Sequence, residues 1–171
     1  MEPKQIRFRY GPHGKPALAS DHAMGALCFN SSHSHELALY AVTRDRLVGV
    51  DVEHVSRFID AHEIAERFFS PSEIATLRSL QHEEKEDGFF ACWTRKEAYV
   101  KARGDGLAMP LDSFSVSLSP GDPARILHVE GHPEETSRWF LCGLDAAPSY
   151  VAALVVEGRT HRFSRWQVPG N

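Results

Sequence analysis

The segment from Phe89 to Leu107 restricts the fold more than any other part of the sequence. Its residues Phe89, Trp93 and Val100 recur at helical spacing, and this spacing predicts an amphipathic helix with one apolar stripe. Gly104 follows the last turn, and glycine is common just beyond a helix C-terminus. The sequence therefore predicts one long helix, in which Trp93 is a core anchor that sets the direction of neighbouring side chains.

Three of the charged residues within this predicted helix are candidates for a site. Lys96 and Glu97 are adjacent, and Glu97 and Lys101 lie one turn apart on the same face. One interpretation is a solvent-exposed ion pair worth roughly a few tenths of a kcal/mol. The other is a metal-binding carboxylate beside a lysine that contacts phosphate, and it requires further carboxylates from elsewhere. Lys96 is about 100° around the helix from Glu97, so a phosphate contact and a surface position are both open to it.

The strand that most clearly carries chemistry is expected over residues 47–55. Three valines alternate there with Gly49, Asp51 and Glu53, and the period of two places Asp51 and Glu53 on the face opposite the valines. With Glu97 they would offer three carboxylates to a hard cation. Oxygen-only ligation suits Mg²⁺, which is usually completed by substrate phosphates. A solvent-exposed strand face is the alternative interpretation.

The rest of the chain predicts short strands and two shorter helices. A helical region is expected over 60–69, and a second helix begins at a capping box formed by Ser70 and Glu73. Residues 81–87 read as a polar surface connection. Further strands are expected at 27–30, 36–42, 113–118, 124–129, 138–144 and 150–156, and residues 162–168 as an edge strand or a tail. Short turns between the strands favour an antiparallel sheet with packed helices, so the predicted class is α+β.

Composition limits the possible classes of protein. The 171 residues suit a single domain, and the net charge of -4 provides no basic field for a nucleic acid. The three cysteines, Cys28, Cys92 and Cys142, show no paired spacing and suit a reducing compartment. No apolar run reaches the ~20 residues of a spanning helix, and residues 1–10 lack the apolar core of a signal peptide. We therefore expect a cytoplasmic protein without membrane or nucleic-acid partners.

Six sequence blocks, in this order along residues 14–116, resemble the signature of the 4'-phosphopantetheinyl transferases. The central ones are GVDVE (Gly49–Glu53), RFFSPSE (Arg67–Glu73) and WTRKEAYVKARGDGL (Trp93–Leu107). Three others resemble the Sfp-type branch in particular, namely GKPAL (Gly14–Leu18), FNSSHS (Phe29–Ser34) and PLDSFSV (Pro110–Val116). Because six blocks agree in order, the resemblance is highly specific.

The resemblance implies a holo-[acyl-carrier-protein] synthase activity. Such an enzyme transfers the 4'-phosphopantetheine group from coenzyme A to a serine of an acyl or peptidyl carrier protein, depends on Mg²⁺, and releases 3',5'-ADP. By motif, the implied metal ligands are Asp51, Glu53 and Glu97. The implied catalytic residues are Glu97, Lys101 and Glu73, with Glu97 or a water that it orients as the acceptor of the serine proton. The implied contacts to coenzyme A are Lys15, Pro16, Ser32, His33 and Lys101.

Several of these implied features have alternatives. Glu73 also belongs to the capping box, and the two roles are compatible. Acidic carriers would need a basic patch, for which the candidates are Arg57, Arg67, Arg78, Lys101 and Arg103. Outside the resemblance, His33, His35 and His54 are candidate zinc ligands, and Ser32 with His33 a fragment of a hydrolase. Zinc needs three or four convergent ligands, and adjacency in sequence does not create a triad, so both rank lower.

The chain departs from the Sfp-type pattern at its start and at His35. We expect residues 1–171 to form a single transferase domain with pseudo-two-fold halves. Sfp-type chains have a further segment before the GKP block, so the first half is expected to be incomplete. Residues from about 1 to 45 would be the remnant of an incomplete first half, and those from about 46 to 171 the second half with the metal-binding motifs. The alternative function is a non-catalytic or partner-dependent fragment that binds carrier protein or nucleotide. A monomer or a weak homodimer is expected, and His35 stands where the family often has glycine.

Overall fold

The computed structural model describes residues 2–19, 27–55, 60–159 and 162–168. Its strands are β1 (Phe8–Tyr10), β2 (Pro16–Leu18), β3 (Leu27–Ser34), β4 (Leu37–Arg44), β5 (Val48–His54), β6 (Phe114–Val116), β7 (Ile126–Val129), β8 (Trp139–Leu144) and β9 (Tyr150–Glu157). Its α-helices are α1 (Ala61–Phe68), α2 (Pro71–Ser79), α3 (Lys85–Arg103) and α4 (Glu135–Arg138). Short 3-10 turns precede β1, α3 and β6.

Every strand pair of the described residues is antiparallel, which confirms the predicted α+β class. The central sheet has the order β5-β9-β8, and β1-β2, β3-β4 and β6-β7 form two-stranded sheets. Helix α3 packs across β5 and β9 on one face of the central sheet. The hairpin β3-β4 packs against β5 from the other side. Strand β5 therefore lies between the long helix and the hairpin, and this arrangement positions the site.

The apolar core has two parts that follow this layering. The larger part joins α3 to the sheet and includes Phe89, Phe90, Tyr99 and Val155. The smaller part joins the hairpin to the sheet through Val48, Val50, Leu154 and Val156, with Cys28, Leu39, Ala41, Cys142 and Leu144 packed against them. Two of the three alternating valines of β5 thus face the hairpin.

Helix α3 ends where the sequence predicted but begins earlier. Gly104 ends it with a positive φ of 80°, and its N–H donates to the carbonyl of Val100. The helix already begins at Lys85, inside the segment 81–87 that the sequence indicates as a surface connection, and this part of the prediction was wrong. Its first turn packs against Leu80, whose Cδ1 would lie 2.5 Å from a Cβ added at Gly88.

Two other local predictions have clear outcomes. Residues 162–168 form no strand, so of the two alternatives the tail is the one observed. His35 belongs to the two-residue turn of the hairpin β3-β4 and has a positive φ of 49°. Such turns need positive φ values, which glycine adopts most readily, and this explains why glycine is common there in the family that the sequence resembles.

Candidate active site between β5 and α3

Strand β5 is the edge of the central sheet, yet side chains satisfy its outward backbone groups. The Val50 N–H donates to Asn30 Oδ1 at 2.8 Å, and the N–H groups of Val52 and His54 donate to the hydroxyls of Ser32 and Ser34 at 3.4 and 3.1 Å. Side chains at every second position of β3 thus accept the hydrogen bonds that the backbone of a neighbouring strand would otherwise accept. This ladder holds β5 in a single register against β3.

The same two serines orient the carboxylates of β5. The Ser32 hydroxyl donates to Asp51 Oδ1 at 2.9 Å, and the Ser34 hydroxyl donates to Glu53 Oε2 at 3.1 Å. The recurrence of Asn, Ser and Ser at every second position of FNSSHS was the sequence signal for this ladder, which the sequence interpretation missed. Asn30 and Ser34 are therefore additional residues of the site.

Asp51 is a buried carboxylate with one unsatisfied oxygen. Only 2 % of the residue is exposed, so a solvent-exposed strand face is the wrong interpretation for it. Its Oδ1 accepts from Ser32 and Lys101, whereas its Oδ2 is buried without a hydrogen-bond partner. Burial raises the pKa of Asp51 to about 6, although Lys101 and Ser32 act in the opposite direction and Glu53 in the same direction. A buried carboxylate oxygen without a donor is a candidate metal ligand.

Glu97 brings a second carboxylate from α3 and lines the cavity beside this strand. Burial raises its pKa, Lys101 lowers it and Glu53 raises it further, so the carboxylates of Glu97 and Glu53 interact electrostatically. A carboxylate whose pKa lies above its ordinary value is a better general base near neutral pH.

Lys101 connects the helix to the strand. Its Nζ donates to Asp51 Oδ1 at 2.6 Å and to Ser32 Oγ at 3.0 Å, and its side chain is 29 % exposed and lines the cavity. Of the two interpretations of Glu97 and Lys101, the simple i,i+4 ion pair does not describe Lys101, which pairs with Asp51 instead. An ammonium has three N–H donors, so one remains available to a ligand in the cavity.

Gly49 allows α3 to approach β5 closely enough for these contacts. A Cβ at Gly49 would lie 2.1 Å from the carbonyl oxygen of Ala98 and 2.3 Å from the Ala102 nitrogen. Both atoms belong to the helix backbone and cannot move aside. The glycine of the GVDVE block is therefore a packing requirement that brings the helix within reach of Asp51.

Lys96 and Glu73 form a buried ion pair on the other side of α3. Lys96 Nζ lies 2.7 Å from Glu73 Oε2 and donates to the carbonyls of Leu111 and Phe114 at 2.7 and 2.6 Å. The exposed fraction of the Lys96 side chain is 0 %, so both interpretations of Lys96, a phosphate contact and a surface position, were wrong. All three of its donors are used inside the protein.

Glu73 is held entirely by structural contacts. It forms the predicted capping box with Ser70, and its Oε1 accepts the Val116 N–H at 2.8 Å. Glu73 is not among the residues that line the cavity. The structure thus shows its packing role, and its part in the chemistry stays a prediction.

The cavity has a volume of about 480 Å³ and lies beside the C-terminal half of α3. It is lined by His13, Gly14, Lys15, Pro16, Asn30, Arg67, Phe68, Glu97, Val100, Lys101, Gly104, Gly106, Met109, Pro110, Leu111 and Asp112. The lining joins the loop before β2, the end of α1 and the turns after α3. One wall is apolar, and Lys101 and Glu97 supply charge on the wall formed by α3.

The residues implied as coenzyme A contacts do not all converge. Lys15 and Pro16 line the cavity, and Lys15 Nζ donates to the carbonyls of Val48 and Ala102 at 3.0 and 2.7 Å. Burial lowers the pKa of Lys15. Ser32 is buried against Asp51, whereas His33 is exposed on the opposite face of β3. Their contacts to coenzyme A stay predictions, and Ser32 and His33 would reach a ligand from different sides.

The basic candidates for carrier binding differ in their surroundings. Arg67 lines the cavity and lies over the ring of Phe68. Arg78 is paired with Glu66, and Arg103 with Asp105 and Glu135. Arg57 lies outside the described residues.

The structure gives no support to a zinc centre or a serine hydrolase. Within the described ranges, no three His, Cys, Asp or Glu side chains are gathered as a formed metal site. The rings of His35 and His54 are in contact, with centroids 4.4 Å apart and an interplanar angle of 36°. The Ser32 hydroxyl is bound to Asp51 and Lys101 rather than to a histidine. Asp51 Oδ2, a buried carboxylate oxygen without a partner, is the kind of donor that fits Mg²⁺, whereas joint metal binding by Asp51, Glu53 and Glu97 stays a prediction.

Comparison with known proteins places these features in one family. Residues 47–155 match the family described as the 4'-phosphopantetheinyl transferase superfamily. The chain is 41 % identical to the 4'-phosphopantetheinyl transferase HetI of Nostoc sp., over 92 % of this chain and 63 % of that protein. It is 36 % identical to the 4'-phosphopantetheinyl transferase Sfp of Bacillus subtilis, over 90 % of this chain and 64 % of that protein. The chain thus spans a little under two thirds of the length of these relatives.

Solved structures agree on the fold. The Helicobacter pylori holo-[acyl-carrier-protein] synthase in complex with coenzyme A superposes with a TM-score of 0.50 at 21 % identity, over 66 % of this chain and all of that chain. A coenzyme A complex of a Chronobacterium ammoniagenes synthase gives a TM-score of 0.50 at 16 % identity, over 68 % of this chain.

Proposed function

The chain belongs to the 4'-phosphopantetheinyl transferase superfamily, and we propose on this basis that it transfers phosphopantetheine from coenzyme A to a serine of an acyl or peptidyl carrier protein. The observation that carries the proposal is Asp51, a buried carboxylate with an unpartnered oxygen next to Lys101. This pair adjoins the cavity that Glu97 and Lys101 line. A cavity with converging charged groups of opposite sign suits a phosphate-containing substrate.

In the proposed reaction, one phosphorus–oxygen bond forms and one breaks. The serine Oγ of the carrier attacks the phosphorus of the phosphopantetheinyl group, and the bond to the bridging pyrophosphate oxygen breaks, so that 3',5'-ADP leaves. The serine proton passes to Glu97 or to a water that Glu97 orients. A raised pKa suits Glu97 to this step.

Positioning and charge neutralisation supply most of the rate in such a transfer. Asp51, Glu53 and Glu97 would hold Mg²⁺, and the bound cation would neutralise part of the negative charge of the pyrophosphate. Lys101 directs its remaining N–H donor to a phosphate oxygen. Lys15 and Pro16 would contact the nucleotide, and Ser32 and His33 would face the 3'-phosphate. We assign Glu73 to packing rather than to the chemical step because all its oxygen contacts are internal.

Fewer observations bear on the cellular compartment and the oligomeric state. We propose the cytoplasm, since the three cysteines of the sequence show no paired spacing. No helix in the described part of the chain is long and apolar enough to cross a membrane. The proposed unit is one domain over residues 1–171, divided near residue 45 into two pseudo-symmetric portions and acting as a monomer or a weak homodimer.

Incubation with carrier proteins, coenzyme A and Mg²⁺, followed by intact mass, tests the activity. We expect the carrier to gain the mass of one phosphopantetheine group, and replacement of its acceptor serine by alanine to prevent the gain. No gain on carriers that the Bacillus subtilis Sfp protein modifies in parallel would contradict the proposal. Calorimetric binding of a carrier without any gain would favour a non-catalytic, partner-dependent role.

A further inference from the structure

Lys101 binds the carboxylate of Asp51, the same group that a divalent cation would bind. Its ammonium lies 2.6 Å from Asp51 Oδ1, and the Asp51 side chain is only 3 % exposed. The other oxygen of this carboxylate, Oδ2, is also buried and has no hydrogen-bond partner. Two cations on one carboxylate repel each other, and the burial of Asp51 reduces the screening of this repulsion by water and salt.

We propose that Lys101 competes with the divalent cation for Asp51, and that coenzyme A relieves this competition by drawing the ammonium to its phosphates. The inference rests on the proposed function and adds an energetic coupling between its two ligands. Metal and coenzyme A then bind cooperatively, and each tightens the binding of the other by the same factor.

The charges around Lys101 support this exchange. Two other carboxylates interact electrostatically with the pair of Lys101 and Asp51. Glu97, on the same helix, interacts with Lys101, and Glu53, on β5, interacts with Asp51. Among the carboxylates of Asp51, Glu53 and Glu97, Lys101 forms its ion pair with Asp51. Lys101 therefore offsets part of the negative charge that would otherwise attract a divalent cation.

The geometry of the side chain permits the transfer from carboxylate to phosphate. Lys101 is 29 % exposed and lines the cavity, so its ammonium can turn toward a ligand without movement of α3. A lysine suits this role because its flexible stem carries a point charge with rotatable donors. Ser32, which donates to Asp51, keeps that carboxylate in place when the ammonium leaves.

Mn²⁺ binding to the purified full chain, measured at pH 8 by the loss of the free-ion EPR signal, tests the competition. In the absence of coenzyme A, Lys101→Met should bind Mn²⁺ about tenfold more tightly than the original protein, a factor within the usual range of site coupling. Lys101→Arg keeps the charge and should bind Mn²⁺ as the original protein does. If Lys101→Met fails to fold, Lys101→Gln replaces it, since its amide retains a donor for Asp51.

The second arm repeats the titrations with saturating 3',5'-ADP. The nucleotide should increase the Mn²⁺ affinity of the original protein more than that of Lys101→Met, by about the factor that the variant gained alone. An equal or weaker Mn²⁺ affinity for folded Lys101→Met, with clear binding to the original protein, overturns the competition and leaves the proposed function standing. Failure of every protein to bind Mn²⁺, with or without nucleotide, overturns both.

Discussion

Lys96 and Glu73 form an ion pair with a nitrogen–oxygen distance of 2.7 Å, in which the two side chains are 0 and 2 % exposed. The pair ties α3 to the first turn of α2 and, through the Val116 N–H, to β6. Lys96 directly precedes Glu97 in the sequence. The buried pair therefore sets the rotation of α3 that presents Glu97 to the cavity.

Glu73→Gln should lower the free energy of unfolding by about 3–5 kcal/mol, because it leaves the Lys96 ammonium buried without a counter-charge. Urea unfolding at pH 7 measures this loss. The double variant Glu73→Gln with Lys96→Met should lose less than the sum of the single variants. Arg78→Met is the matched control, since Arg78 and Glu66 are also 2.7 Å apart but 64 and 39 % exposed, and should cost less than about 1 kcal/mol. Equal losses for Glu73→Gln and Arg78→Met would contradict the assignment.

Gly49→Ala should destabilise the protein by about 3 kcal/mol, because the added methyl group meets the backbone of α3. Gly143→Ala is the control in another strand of the same sheet, where the nearest atom to an added Cβ is 4.0 Å away. Thermal and urea unfolding compare the two variants. A Gly49→Ala protein as stable as Gly143→Ala would show that α3 does not depend on this close approach.

Glu97→Gln should reduce the rate of carrier modification by about 10²–10⁴-fold, the usual contribution of a general base. The amide keeps the size of the side chain but neither accepts the serine proton nor carries a charge for Mg²⁺. Initial rates at fixed Mg²⁺ measure the effect, and circular dichroism confirms the fold. The control is Glu83→Gln, at an exposed position just before α3, which should retain its rate. Near-normal turnover of Glu97→Gln would show that Glu97 is neither ligand nor base.

The raised pKa of Asp51 predicts a specific dependence of stability on pH. The folded protein holds the Asp51 proton more tightly than the unfolded chain, so this contribution is complete below the ordinary pKa of 3.8 and is lost as the pH rises through about 6. In the presence of a chelator, the original protein should lose up to about 3 kcal/mol relative to Asp51→Asn between pH 4 and pH 7. Urea unfolding at both pH values measures the difference, and a constant difference would contradict the assignment.

Mg²⁺ should reverse this loss, because metal binding requires the ionised carboxylate. A larger rise of the melting temperature with Mg²⁺ is expected at pH 8 than at pH 5, and Asp51→Asn should show little rise at either pH. If the rise were the same at both pH values, Asp51 would not be the ligand.

Local patterns accounted for the elements of the site. The alternation in β5 correctly placed Asp51 opposite the valines, the capping box at Ser70 formed as predicted, and Gly104 ended α3. Each of these signals involves residues within one or two turns of each other, where spacing alone determines the geometry.

Contacts between distant segments were not predictable in the same way. Lys96 read as a surface or ligand residue because nothing near it in sequence shows that Glu73, 23 positions earlier, lies beside it. Lys101 had a suitable partner in Glu97 one turn away, yet it binds Asp51, which is 50 positions earlier. The contacts of Ser32 to Asp51 and Lys101 were likewise not predicted, and its contact to a phosphate stays a prediction.

The sequence by itself determined the order and type of the elements, the resemblance to a family, and which carboxylates are candidates for a metal. Only the tertiary structure decided how these charges are paired. The physical reason is burial: a charge removed from water must find a partner within a few ångströms, and the packing of α3 between β5, α2 and β6 selects that partner. Packing assigned Glu73 to Lys96 and Asp51 to Lys101, and it left Asp51 Oδ2 without a partner beside the cavity.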